Sequence, residues 1–193
     1  GIYTVKEVQA PANYGLNPTV FTADIEFAGQ VVKLNVTDPV ITAGVSIKKT
    51  GYAQTMNNNI MRWTVSGVRN DSTTSLQSFY WRDTLPTDAV RLTRLVTGTY
   101  STTQTYKVTF TTNLNSQWRT AYDNLSTAKN YTLDMSSAAL GLASNEYVTQ
   151  FMLSFGIVPA GFHQLTNATV DAQTLYALTN GYKSVSYTHL TLP

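Results

Sequence analysis

The chain contains no cysteine. Disulfides cannot staple its fold, and cysteine-based metal sites and nucleophiles are excluded. Charge is scarce as well. Asp, Glu, Lys and Arg make up 12% of the 193 residues, against about 25% in an average soluble domain. The net charge is +2 and no basic run exists. Nucleic acid therefore finds no electrostatic footprint, and neither does membrane-surface binding. No stretch is long and apolar enough to span a bilayer. The two histidines, His163 and His189, lack ligand-spaced companions, so no metal site is expected. No nucleophile elbow, phosphate loop or dinucleotide fingerprint occurs, and no cofactor is expected. Residue 1 is not Met and no signal peptide follows it, so the chain reads as a piece of something longer.

What is present favours strands. Hydrophobic residues make up 42% and aromatics 11%, enough for a core. Thr, Ser, Asn and Gln make the surface polar, as in TGTYSTTQTYKVTFTTN. Strand signals recur every 8 to 12 residues or so, the rhythm of a sandwich or barrel. The patterning predicts strands near 2–8, 18–27, 30–37, 44–49, 60–68, 76–83, 89–96, 104–112, 130–135, 146–155 and 162–170. Turn chemistry such as NYGLNP, TDP and RNDST separates them. Two stretches, 115–125 and 136–144, carry enough helical signal for a turn or two. A boundary falls at Thr37-Asp38-Pro39. The joint VITAG (40–44) follows, and VSIKKTG opens a longer strand set. Residues 1–40 thus form one unit and 41–183 a second. The first has too few strands to bury a good core and reads as truncated.

Strand parity singles out polar residues on apolar faces. Residues 3, 5 and 7 share a face, so Glu7 accompanies Tyr3 and Val5. A carboxylate in a core costs free energy unless it is paired or protonated. Asp38 shares a face with Val32, Leu34 and Val36. Lys49 shares one with Val45 and Ile47, and Asp83 one with Phe79 and Trp81. Plainer readings stand beside these. Glu7 can be an exposed edge residue and Asp38 a turn aspartate before Pro39. Lys49 and Asp83 can be a structural salt bridge or two solvated strand ends. Leu85-Pro86-Thr87-Asp88 has some sortase-signal character but reads as a strand-to-turn corner. Trp63, Trp81 and Trp118 can form a sugar platform, although aromatics in such strands usually fill cores.

The first unit resembles the second half of a collagen-adhesin B-type (Cna-B, pilin-like) repeat. The Y-T-x-x-E-x-x-A-P-x-x-Y pattern of YTVKEVQAPANYG carries that likeness. The remainder, through WTVSGVRNDS, FYWRDTLPTDAVRL, YKVTFTTN, NEYVTQF and FGIVPAGF, resembles domains that follow such repeats in Gram-positive surface and fimbrial proteins. SVSYTHLTLP resembles a translated cloning or sequencing-adapter tail, so residues 184–193 are expected to be non-native; the alternation of Val185, Tyr187 and His189 also fits an edge strand.

The family resemblance implies an all-β fold of tandem immunoglobulin-like sandwich modules, the first truncated. It also implies intramolecular isopeptide bonds. In such a bond a Lys amine attacks an Asn or Asp side chain, helped by a carboxyl. Burial supports that chemistry, because it neutralises the lysine and keeps the carboxyl protonated. The expected assisting carboxyls are Glu7 and Asp83. The expected crosslinking residues are Lys49, Asp38 and Asn167, with Asn180 a further acceptor candidate. Lys6 and Lys33 lie on opposite faces, so the lysine for Asp38 would come from a strand outside this chain.

The expected function is non-enzymatic. It is a stalk segment of an adhesin or pilus protein on the bacterial cell surface, in a cell-wall-anchored parent. The partners would be neighbouring domains of that protein. The alternative is a ligand-binding sandwich adhesin that recognises host protein or glycan.

Overall fold

A computed structural model describes residues 1–11, 14–53, 59–176 and 187–190. It is all-β, with no helix among the described residues. Two antiparallel strands, β1 (Ile2–Lys6) and β2 (Val20–Asp24), make a small sheet in the first unit.

The second unit is built from two five-stranded sheets that share one core. The first holds β3 (Val45–Ala53), β4 (Ile60–Asn70), β6 (Val90–Val96), β10 (Thr132–Asp134) and β13 (Ala168–Thr174), in the order β10-β6-β13-β4-β3. The second holds β5 (Leu76–Thr84), β8 (Thr105–Thr112), β9 (Arg119–Ser126), β11 (Val148–Val158) and β14 (Tyr187–Leu190), in the order β14-β5-β11-β8-β9. β7 (Thr99–Tyr100) and β12 (Gln164–Thr166) form a small extra pair.

The core follows from strand alternation. Met61, Trp63 and Val65 on β4 face inward, as do Phe79 and Trp81 on β5 and Phe151 and Leu153 on β11. Phe79, Tyr100, Tyr106, Phe155 and Phe162 pack mostly edge to face at one end, with centroid separations from 4.6 to 6.2 Å. Two of their contacts are instead stacked. The buried Tyr100 hydroxyl accepts from Trp81 Nε1 at 3.1 Å and donates to the Thr97 carbonyl at 3.0 Å. Both polar tips are thereby satisfied inside the core.

Several expectations need correction. The 30–37 segment is not a strand, because no neighbouring strand among the described residues of the first unit offers it a ladder. The face of Tyr3 and Val5 is not buried. They are 56% and 44% exposed, since no second layer covers the two-stranded sheet among the described residues. The 115–125 stretch is not helical. Most of it joins β9, which pairs with β8 from Phe110↔Arg119 to Thr105↔Ser126, so tertiary pairing overrides its helical signal. The 136–144 stretch forms turns, with Leu140 N–H bonded to the Ser136 carbonyl and Leu142 N–H to that of Ser137. The expected 162–170 strand is split at Asn167 into β12 and β13. Trp118 is not core; it is 38% exposed.

Other expectations find a place. Leu85–Asp88 is a corner, with Leu85 buried and the Ala89 and Val90 N–H groups bonded to the Pro86 carbonyl. Residues 187–190, inside the segment read as a tail, pair with β5 from Tyr187↔Thr84 to Leu190↔Trp81. The joint is tied down. Thr42 and Gly44 accept from the N–H groups of Thr73 and Asp71, and Gly44 N–H bonds Ser72 Oγ at 2.9 Å.

Candidate functional site

On β3, Ser46, Lys48 and Thr50 are exposed, while Val45 and Ile47 pack on the core. Lys49 shares their parity, so it is carried inward. On β5, Phe79, Trp81 and Asp83 are fully buried, whereas Tyr80 and Arg82 reach solvent. The two sheets bring the inward lysine and the inward aspartate together. Lys49 Nζ lies 2.5 Å from Asp83 Oδ2, with the side chains 10% and 0% exposed. Two residues 34 positions apart, singled out by parity alone, thus meet across the sandwich.

An aromatic side chain flanks the pair. Lys49 Nζ sits 5.0 Å from the ring centroid of the buried Trp63. Trp63 in turn needs Gly51, its cross-strand partner. A Cβ at residue 51 would stand 2.2 Å from Trp63 Cδ1. Asp83 is registered between Phe151 on β11 and Thr188 on β14. Desolvation lowers the Lys49 pKa, and the Asp83 carboxylate opposes that shift without cancelling it. The neutral amine, which is the nucleophilic form, is thereby more accessible than in a solvated lysine.

The other expected residues fall in two places. Glu7 and Asp38, in the first unit, are neighbours. Glu7 Oε2 accepts from Asn17 N–H at 2.6 Å, and Asn17 Nδ2 donates to the Thr37 carbonyl at 2.9 Å. Asn17 thus gathers the end of the first strand and the 37–38 segment. Desolvation raises the Asp38 pKa, helped by the Glu7 charge and a hydrogen bond to Glu7. Asp38 Oδ1 is buried with no partner among the described residues. Lys6 and Lys33 are exposed.

Asn167 is not brought to Lys49. It is exposed, and its neighbour Ala168 pairs with Val65, which separates β13 from Lys49 by a whole strand. Asn180 lies outside the described residues.

Sequence reasoning missed a second ionic cluster. Asp171 on β13 is held by Arg62 Nε and Nη2 at 2.6 and 2.7 Å, and by Arg94 Nε and Nη2 at 2.9 and 2.5 Å. The three residues sit on β4, β13 and β6, with Asp171 registered against both arginines. The only available signal was their polarity, because the order of those strands is a non-local property. Burial alone would raise the Asp171 pKa, yet the Arg62 and Arg94 hydrogen bonds and charges hold it below the usual carboxylate value.

Asp171 therefore stabilises the fold above its unfolded pKa, and that stability is lost as pH falls through the lowered folded value. Asp171→Asn is expected to cost about 1–2 kcal/mol at neutral pH, tempered because both guanidinium groups reach solvent. It should also flatten the acid limb of a plot of urea midpoint against pH. An unchanged acid limb would show that the cluster does not contribute.

Among the described residues no group of acidic or imidazole side chains could hold a metal ion, and no helix is long and apolar enough to cross a membrane. Comparison with protein-family models, curated proteins and solved structures returned no match.

Proposed function

We propose that this chain is a structural segment of a bacterial surface protein, a stalk of immunoglobulin-like sandwich modules that can be stapled by isopeptide bonds. The observation that carries this reading is the inward Lys49 held against the buried Asp83. A chain without cysteine gains from another covalent tie, which restricts the unfolded state much as a disulfide does.

In the proposed step, neutral Lys49 Nζ attacks the side-chain carbonyl carbon of an asparagine. The Nζ–C bond forms and the C–Nδ2 bond breaks. Proton transfer within the ion pair yields the neutral amine and protonated Asp83, which polarises the carbonyl, gives its proton to the departing Nδ2 so that ammonia leaves, and recovers a proton from Nζ. With an aspartic acid acceptor the leaving group is water. The acceptor comes from outside the described core, since Asn167 lies on the outer surface. In the first unit Glu7 assists and Asp38 is the acceptor, with the lysine supplied by another strand. Their adjacency supports that pairing, and the open face of Tyr3 and Val5 leaves room for the strand.

Trypsin is expected to spare the bond after Lys49 in the protein isolated from its native surface, once denatured. Tandem mass spectrometry should then find a branched peptide joined at Lys49. Efficient cleavage after Lys49, with the linear peptide recovered in full, contradicts the reading.

A further inference from the structure

We infer that the sandwich carries a contact site for a neutral oligosaccharide at the end remote from the joint, built on Trp118 at the tip between β8 and β9. Of the three tryptophans, Trp63 and Trp81 are 1% and 0% exposed and belong to the core. Trp118 is 38% exposed, and Leu114, at the start of the same tip, is 59% exposed. Trp118 stands outside the core cluster.

The tip is held rigid. Thr112 N–H bonds the Asn115 carbonyl at 2.9 Å, and Gln117 N–H bonds Asn115 Oδ1 at 2.9 Å. Asn113 Oδ1 accepts from Tyr147 N–H at 2.8 Å, and Asn113 Nδ2 donates to the Asn145 carbonyl at 3.0 Å. Glu146 Oε1 accepts from Thr112 Oγ1 at 2.7 Å and from Arg119. The 143–147 segment therefore buttresses the hairpin, and a ligand would pay little ordering entropy on binding.

Among the described residues, the joint and the tip lie at opposite ends of the sandwich. The joint is hydrogen-bonded to residues 71–73, beyond the C-terminal end of β4. The tip lies at the other end, with Thr112 registered against Val148 and Thr84 against Gln150. β14 starts opposite Thr84 and runs back towards the joint end.

The chemistry of the tip selects the ligand. Residues 113–118 read NLNSQW and carry no charge. The nearest ions, Arg119 and Glu146, neutralise each other. Nucleic acid would need a basic groove beside the aromatic, which is absent among the described residues of the tip. An apolar surface of one leucine and one indole falls far short of the roughly 1,000 Å² a stable protein interface needs. A pyranose fits better. Its C–H face can stack on the exposed indole, and the uncharged Asn, Ser and Gln side chains of the tip offer hydrogen-bonding groups for its hydroxyls.

Trp118 supplies its own probe, because acrylamide reaches an exposed indole far better than the two buried ones. Neutral hexasaccharides (cello-, malto-, manno- and chitohexaose) would be titrated up to the order of 10 mM, which detects even weak millimolar affinity. At least one is expected to protect Trp118 from quenching saturably and to give saturation-transfer NMR signals. Trp118→Ala should weaken that binding at least tenfold without moving the melting temperature. Two results would each overturn the inference: no hexasaccharide binding by NMR, or binding that survives Trp118→Ala.

Discussion

Replacing Lys49 by methionine is expected to destabilise the sandwich by about 3–5 kcal/mol, the usual cost of stranding a buried ionic partner. Asp83 is fully buried, so its carboxylate cannot recover solvation when the ammonium 2.5 Å away is removed. Methionine keeps the volume of the side chain and its contact with Trp63, so the loss reports charge rather than a cavity. Adding Asp83→Asn should restore more than half of the loss, because the amide is neutral and can still serve hydrogen-bond partners. Urea unfolding of wild type, both single variants and the double variant closes the cycle. Additive losses would show that the two side chains do not sense one another.

Gly98→Ala is expected to cost about 2–5 kcal/mol, the sum of two separate penalties. Gly98 has φ of +72°, in the left-handed region where a Cβ is penalised. A Cβ there would also stand 2.3 Å from the Thr166 carbonyl oxygen, which is backbone and cannot rotate away. This position joins β6 to β7, with Gly98 N–H bonded to Asn130 Oδ1 at 2.9 Å. The neighbouring Thr97 carbonyl receives the Tyr100 hydroxyl that satisfies Trp81. A shift there spreads into the aromatic core. Gly141→Ala, in the same sandwich, is the natural control. Gly141 also has positive φ but no atom within 4 Å of a built Cβ, so only the smaller, conformational part of the penalty should appear. Equal melting-temperature losses for the two variants would contradict this account.

The inward set on each long strand was legible because parity is local. Alternation along VSIKKTG and FYWRD was enough to turn Lys49 and Asp83 inward. That they touch was implied by the family resemblance and followed from no periodicity, since β3 and β5 belong to different sheets and pack by non-local contacts. The Asp171 clamp was invisible for the same reason: β13 slots between β4 and β6 from more than 70 residues away. β9 was misread because RTAYDNL has mixed propensity and its fate is decided by β8. The first unit was misjudged in the opposite sense. Its strand pattern is real for β1 and β2, but pattern alone cannot supply the second layer that burial requires. Within it, the meeting of Glu7 and Asp38 followed from no periodicity; it was implied by family resemblance, and the fold sets them side by side.

The most direct test of the stapled-module proposal is the intact mass, under denaturing conditions, of the full-length protein that carries this segment, beside its Lys49→Ala variant. The account predicts that the wild type is lighter than its sequence by one ammonia or one water for each stapled module. The deficit belonging to residues 41–183 should vanish in the variant. A wild-type mass equal to the sequence mass would contradict it, and Lys49 and Asp83 would then be an ordinary buried ion pair.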